Sequence, residues 1–227
     1  MPTWLRWCLG IGIFLMIAIV PFLHYRATYA HGKRLRVVTP GKFYRCGQLT
    51  ADGFREAIQV YGIKVVLNLQ DENPDPLVPD NYYRTAHVTP ESEVCRQAGA
   101  RYVMLTFDLP ARHLAHLEEH HPKVIDAFLK LCDDPANLPI LLHCKAGLHR
   151  TGLLTAIYRI EYEGWTKAEA LRELRANGFG DSAATSANDY IYAFLEVYQP
   201  RRLREQVKTG KLGKTGQPEA QARKGSP

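Results

Sequence analysis

The longest apolar run in the chain lies near its beginning: Trp4 to Leu23 (WLRWCLGIGIFLMIAIVPFL) is broken by a single charge, Arg6. At the rise of an α-helix this run comes close to spanning a hydrocarbon core of about 30 Å, so the pattern predicts one membrane helix through residues 4–23. A secretory signal is the competing reading, with Arg6 ahead of an apolar stretch from Leu9 to Val20 and small residues at Thr28-Tyr29-Ala30. The length of the run favours an anchor. Only Arg6 and the amino terminus precede it, whereas Arg26, Lys33, Arg34 and Arg36 follow, which places the body on the cytoplasmic side of the membrane. Cleavage would instead give an exported protein.

After this helix, apolar runs of strand length alternate with longer amphipathic ones. Lys64–Leu69, Arg101–Phe107 and Pro139–His143 read as strands. Ala51–Tyr61, Glu91–Ala98, Pro122–Cys132, Thr151–Glu163, Lys167–Ala176 and Ser186–Tyr198 read as helices, several opened by a capping threonine such as Thr50, Thr166 or Thr185. Strands alternating with helices predict an α/β fold in which a mainly parallel central sheet is flanked by helices on both faces. Ligands of such sheets sit at the carboxyl ends of the strands.

Composition changes this picture little: 46% hydrophobic and 23% charged residues in 227 are those of a globular protein with one domain. The net charge of +6 is more informative once located. Eight basic and two acidic residues after Gln199 account for all of it, and the body is balanced. No polyanion-binding face is implied, and nucleic acid is not an expected partner. The sequence from 200 to 227 is poor in apolar residues and reads as a disordered basic tail. Three segments result: an anchor or signal over 1–30, a folded domain over 31–199, and the tail over 200–227. The five cysteines are too few and too scattered for a disulfide framework or a zinc module, and a reducing compartment agrees with them.

The chemistry is concentrated at the end of the last strand, in His143-Cys144-Lys145-Ala146-Gly147-Leu148-His149-Arg150-Thr151-Gly152, directly followed by a helical pattern. A cysteine at a strand end and an arginine six positions later, across a short loop opening a helix, converge with the backbone amides of residues 145–150 on one centre. That is a cradle for a tetrahedral oxyanion. Helix end and amides favour the thiolate of Cys144, the form needed of a nucleophile. Arg150 offers phosphoryl oxygens a planar fork that lysine cannot reproduce. Gly147 permits backbone angles closed to other residues, Gly152 allows close packing of the helix start, and the Thr151 hydroxyl is expected at the Cys144 sulfur. His143 is expected to orient the cysteine backbone through internal hydrogen bonds.

These residues match HCxxGxxR(S/T)G, and the sequence resembles the cysteine-dependent protein tyrosine phosphatase superfamily, nearest to its small dual-specificity members. Lys42–Leu49 (KFYRCGQL) and Gly62–Leu69 (GIKVVLNL) extend the resemblance to about residues 40–198. It implies the three-layer sandwich of those enzymes and a two-step hydrolysis of phosphate monoesters through a phosphocysteine at Cys144, without metal or other cofactor. It also implies an aspartate that protonates the leaving group, and Asp108, in Phe107-Asp108-Leu109-Pro110, is the best positional match. Asp71, Glu118, Glu119 and Asp126 stay open as alternatives, and a strand-end turn or helix cap is the other role open to Asp108.

The substrate class is less constrained. A phosphotyrosine-bearing protein leads, with phosphoserine and phosphothreonine as further side chains. Lys145-Ala146-Gly147 also resembles the loop of lipid phosphatases, and His149-Arg150-Thr151-Gly152 that of enzymes acting on inositol phosphates, but both carry a lysine where this chain has Leu148. A phosphate-binding adaptor without turnover is the non-enzymatic alternative. His113, His116, His120 and His121 have spacings compatible with zinc, yet lack an evident fourth ligand, and exposed histidines on a polar helix explain them more simply.

Overall fold

The computed structural model describes residues 2–26, 32–81, 86–109, 122–180 and 189–208. Helix α1 (Thr3–Arg26) carries the apolar run, and none of its membrane-candidate stretch, Thr3–Tyr25, is buried against the rest of the chain. It is long and apolar enough to cross a bilayer, a property shared by signal sequences.

The body is built on a five-stranded sheet. Strands β1 (Arg36–Thr39), β2 (Phe43–Cys46), β3 (Val65–Asn68), β6 (Arg101–Met104) and β7 (Ile140–His143) lie in the order β1-β2-β7-β3-β6. All neighbours run parallel except the edge pair β1 and β2. Side chains alternate across the pleat. Ile140 and Leu142 therefore join Phe43 and Leu67 in one core with helices α4 (Lys123–Asp133), α5 (His149–Tyr162), α6 (Lys167–Ala176) and α7 (Asp189–Val197). Leu141 joins Tyr44, Cys46 and Val66 in a second core under α2 (Ala51–Tyr61) and α3 (Glu91–Gln97). The predicted helix–sheet–helix sandwich is thus the observed one. Register brings three strand ends to one level: Cys46 and Asn68 both stand opposite His143, immediately below Cys144.

Local sequence explains the helix bounds. The Thr50 side chain accepts the Gly53 amide at the start of α2, Gly62 closes that helix in the left-handed region, and Thr166 and Glu169 form a reciprocal capping box on α6. Thr185 lies outside the described residues.

The structure departs from the sequence pattern in several places. Strands β3 and β6 stop at Asn68 and Met104, short of the expected ends, because the chain then leaves the sheet to form the loops around the site. A small hairpin of β4 (Leu77–Pro79) and β5 (Val88–Pro90) has no counterpart in the pattern; three-residue strands containing proline leave almost no periodic signal. The boundary at 199 is also too early, since Arg201–Lys208 forms a helix, α8. Its apolar content is low, but Arg201 lies over the Tyr162 ring and pairs with Asp133 at 2.6 Å and with Glu161 at 3.2 Å. Glu161 also accepts the Arg201 amide at 3.0 Å, satisfying the helix start. Residues 209–227 lie outside the described segments.

Candidate active site

The loop 144–148 crosses from the end of β7 to the start of α5, which places Cys144 at the amino end of a 14-residue helix. Three outward hydrogen bonds and the first bond of α5 set the loop's orientation. The Lys145 carbonyl accepts the Gln48 amide (3.2 Å), the Ala146 carbonyl an Arg34 Nη1 (2.9 Å), the Gly147 carbonyl an Arg45 Nη2 (2.8 Å), and the Leu148 carbonyl the Gly152 amide (2.9 Å). With its carbonyls tied to the outside, the loop keeps amides for the interior, and the Gly147 amide donates to Cys144 Sγ at 3.3 Å. This is the arrangement that stabilises an anion.

Arg34, Arg45 and Gln48 come from the segment around the first two strands, a hundred residues away, and sequence reasoning assigned them no role. Arg45 is 3% exposed, and burial lowers its pKa to about 10 against the opposing pull of Glu173. It stays cationic near neutrality and brings fixed positive charge beneath the thiol. Burial, then neighbouring Arg34, also lowers the Lys33 pKa; its side chain packs beside Gly47.

Gly147 has φ +72, where a Cβ would lie 2.6 Å from the Gly47 nitrogen and 2.7 Å from the Cys46 carbonyl. Only glycine lets the loop rest on β2. A Cβ on Gly152 would meet the Leu174 side chain, so this glycine accommodates α6 as expected.

Cys144, Lys145, Ala146, His149 and Arg150 line one pocket of about 300 Å³, together with Gln70, Glu72 and Tyr190. The Arg150 guanidinium is held over the Phe107 ring, donates to the Leu69 carbonyl at 2.8 Å, and pairs with Asp71 at 3.1 Å and Glu72 at 3.2 Å. Burial, then Arg150 and Arg34, lower the His149 pKa, which favours a neutral ring at the pocket wall. His143 is fully buried behind Cys144, with its Nε2 2.7 Å from an equally buried Glu91 carboxylate.

Three expected roles are not seen. Both oxygens of Asp108 accept amides at the start of α4, from Lys123 at 2.8 Å and Val124 at 3.1 Å, which is the helix-cap role. Asp108 does not line the pocket; Glu72 does. The Thr151 hydroxyl is buried with no hydrogen-bond partner among the described residues, so it does not reach the sulfur. The Leu148 side chain is buried rather than pocket-lining. Glu118, Glu119 and the four clustered histidines lie outside the described residues, and among those described no cluster could hold a metal ion.

The sequence model of the family described as DSP-PTPase phosphatase fused to NAD+ kinase matches residues 22–189, most of the chain. The chain belongs to this phosphatase family. Over 43 residues it is 56% identical to the dual specificity protein phosphatase TpbA of Pseudomonas aeruginosa, and over 54 residues 44% identical to the inositol diphosphatase DSP3 of Arabidopsis thaliana. These matches cover 19% and 24% of the chain and only 20% and 26% of the relatives. Likeness in fold extends further. The core catalytic domain of the PP-IP phosphatase SIW14 from S. cerevisiae superimposes with a TM-score of 0.52 at 19% identity, covering 78% of this chain and 93% of that one. The crystal structure of TpbA gives 0.52 at 24% identity, covering 77% and 90%. The family thus confirms the resemblance read from the Cys144 loop.

Proposed function

We propose that this phosphatase hydrolyses phosphate monoesters through a phosphocysteine at Cys144. The observation that carries the proposal is the loop itself: its carbonyls are tied outward while Cys144 and Arg150 line one pocket. The Cys144 thiolate attacks phosphorus, Arg150 and the inward amides hold the non-bridging oxygens, and a pocket acid gives the leaving oxygen its proton. Water then cleaves the phosphorus–sulfur bond. We assign the proton transfer to Glu72, the carboxylate that the described residues place at the pocket. Asp108 has the capping role instead.

The test is phosphate release by the full-length chain in detergent and chelator, from an aryl phosphate with a good leaving group and from a poor one. Glu72→Gln is expected to lose about 10²-fold on the poor leaving group, the lower end of what general acids contribute, and little on the good one. Asp108→Asn is expected to lose stability, and rate equally on both. The reverse pattern would return the acid role to Asp108.

Phosphotyrosine-bearing protein is the leading substrate class, supported by the partial match to TpbA, whose name gives dual specificity. Multiply phosphorylated inositols are the second reading. They are favoured by Lys145 in the pocket wall and by the match to DSP3, while the buried Leu148 contributes no charge. We also propose that α1 anchors the enzyme with its body facing the cytoplasm. In sealed vesicles of known sidedness, external protease should reach the body only from the cytoplasmic face, and a mature chain beginning near residue 31 would instead identify α1 as a cleaved signal.

A further inference from the structure

Behind the pocket runs a chain of polar side chains separate from the nucleophile, the arginine and the acid. It starts at the buried pair of Glu91 and His143. Glu91 Oε1 faces His143 Nε2 at 2.7 Å, and Glu91 Oε2 accepts Gln48 Nε2 at 2.6 Å. The other end of the Gln48 amide, Oε1, accepts Gln70 Nε2. Gln70 lines the pocket, its backbone amide held by Asn68 Oδ1 at 2.8 Å, and the Asn68 amide in turn donates to the Tyr102 hydroxyl at 2.8 Å.

The polarity of this chain is fixed at its buried end. Glu91 Oε2 takes the Gln48 nitrogen as its donor, and a carboxamide presents donors at one end and an acceptor at the other. Gln48 must turn its nitrogen to Glu91, and so its oxygen to Gln70. Gln70 must answer with its nitrogen, which leaves Oε1 as its remaining polar end. Among the described residues no donor takes that oxygen, and it is not among the buried polar atoms lacking a partner.

We infer that Glu91 is a positioning residue that acts through Gln48 to aim the Gln70 carbonyl oxygen into the pocket, where it orients the water that hydrolyses the phosphocysteine. This rests on the covalent mechanism proposed for Cys144. In the second half-reaction the water oxygen bonds to phosphorus and the phosphorus–sulfur bond breaks. The electron pair returns to Cys144 as thiolate. One water proton passes to the Glu72 carboxylate, deprotonated in the first half-reaction, and Gln70 Oε1 accepts a hydrogen bond from the other. Arg150 and the loop amides are all donors, so they bind phosphoryl oxygens but cannot hold water by its hydrogens. Glu72 takes one of the water's hydrogens, and a second acceptor at the pocket wall holds the other.

The experiment is rapid-quench kinetics of the full-length chain in detergent with an aryl phosphate of good leaving group. Gln70→Met removes the acceptor at similar volume. It should leave the burst of phenolate release within about twofold, lower the steady-state rate about 10- to 100-fold, the cost of about one buried hydrogen bond, and accumulate acid-trapped phosphocysteine. Glu91→Gln lets the amide chain reverse, and it should slow the same step. In a double-mutant cycle, Glu91→Gln should add nothing further to Gln70→Met, since the first acts through the second. Equal slowing of burst and steady state in Gln70→Met would mark a merely structural role and overturn the inference, as would unchanged turnover or additive losses in the cycle. Failure to trap any phosphocysteine on the wild type or on Gln70→Met, despite turnover, would overturn the covalent mechanism and this inference together. A trapped intermediate with unaltered breakdown in Gln70→Met would overturn the inference alone.

Discussion

Replacing Cys144 by Ser is expected to lower phosphate release by about 10⁴-fold or more while leaving inorganic phosphate bound as tightly as in the wild type. Removing a nucleophile from a catalytic assembly costs on the order of 10⁶ where it has been measured, the residual rate coming from the rest of the site. Here the rest is intact by construction: Arg150, the inward amides and the buried Arg45 are supplied by other residues. A hydroxyl is isosteric enough to keep the loop closed but far too weakly acidic to attack as an oxyanion near neutrality. Alkylation gives a second readout. Cys46, Cys95 and Cys132 are buried, and burial pushes each thiol well above its ordinary range, with nearby Glu91 adding to the effect on Cys46 and Cys95 and Asp133 on Cys132. Among the cysteines of the body, iodoacetamide at pH 8 should therefore modify Cys144 in the native protein and none in the variant. Unaltered turnover in Cys144→Ser would remove the nucleophile from the mechanism, whatever the labelling pattern.

The second large effect is expected at Gly147. Alanine there must adopt φ near +72 and place a Cβ 2.6–2.7 Å from the backbone of Cys46 and Gly47. The left-handed conformation alone costs about 1–2 kcal/mol. The steric contact cannot be relieved by a rotamer, because the opposing atoms are backbone of a central strand and its exit. The loop must lift from β2, losing the Arg45 bond to its carbonyl and the amide bond to Cys144 Sγ. We expect kcat to fall about 10²–10³-fold, as when a preorganised oxyanion donor is removed, with a lower Tm. Gly152→Ala is the control. Its Cβ would overlap the tip of Leu174, a side chain able to move, and meet Arg45 Nη2 at an ordinary contact distance of 3.7 Å, so activity should change by less than about tenfold. Equal effects at the two glycines would show that the close approach of loop to strand does not govern the site.

The contrast between Cys144 and Asp108 shows what the sequence could and could not reveal. Cys144, Arg150 and the glycines lie within one short loop and the helix start that follows it, so spacing along the chain carries their arrangement. Asp108 has a plausible neighbourhood for an acid, but its partners are amides fifteen and sixteen residues on, and no local pattern distinguishes a proton donor from a cap reached across a loop. The same limit applies to Arg34 and Arg45, which tie loop carbonyls over a hundred residues away. The Arg45 contact depends on the register that sets β2 beside β7, and a basic residue so far along the chain from the loop otherwise reads as surface charge. The sheet and its helices were legible because alternation and caps are local signals. Helix α8 was not, since it is seated by the pairs of Arg201 with Asp133 and Glu161 rather than by an apolar face.

If α1 anchors the chain as proposed, the Arg34 hydrogen bond also limits how far from the membrane the site can stand. Arg34 holds the Ala146 carbonyl at the pocket, and it lies only eight steps along the chain from Arg26, the last residue of α1. A fully extended chain of that length spans at most about 28 Å. With α1 embedded in a bilayer, as proposed, Cys144 would be tethered within a thin shell above the lipid surface, and the site would sample an almost two-dimensional layer instead of the surrounding solution. Phosphorylated groups carried close to that surface would meet it at a far higher effective concentration than the same groups on a freely diffusing molecule.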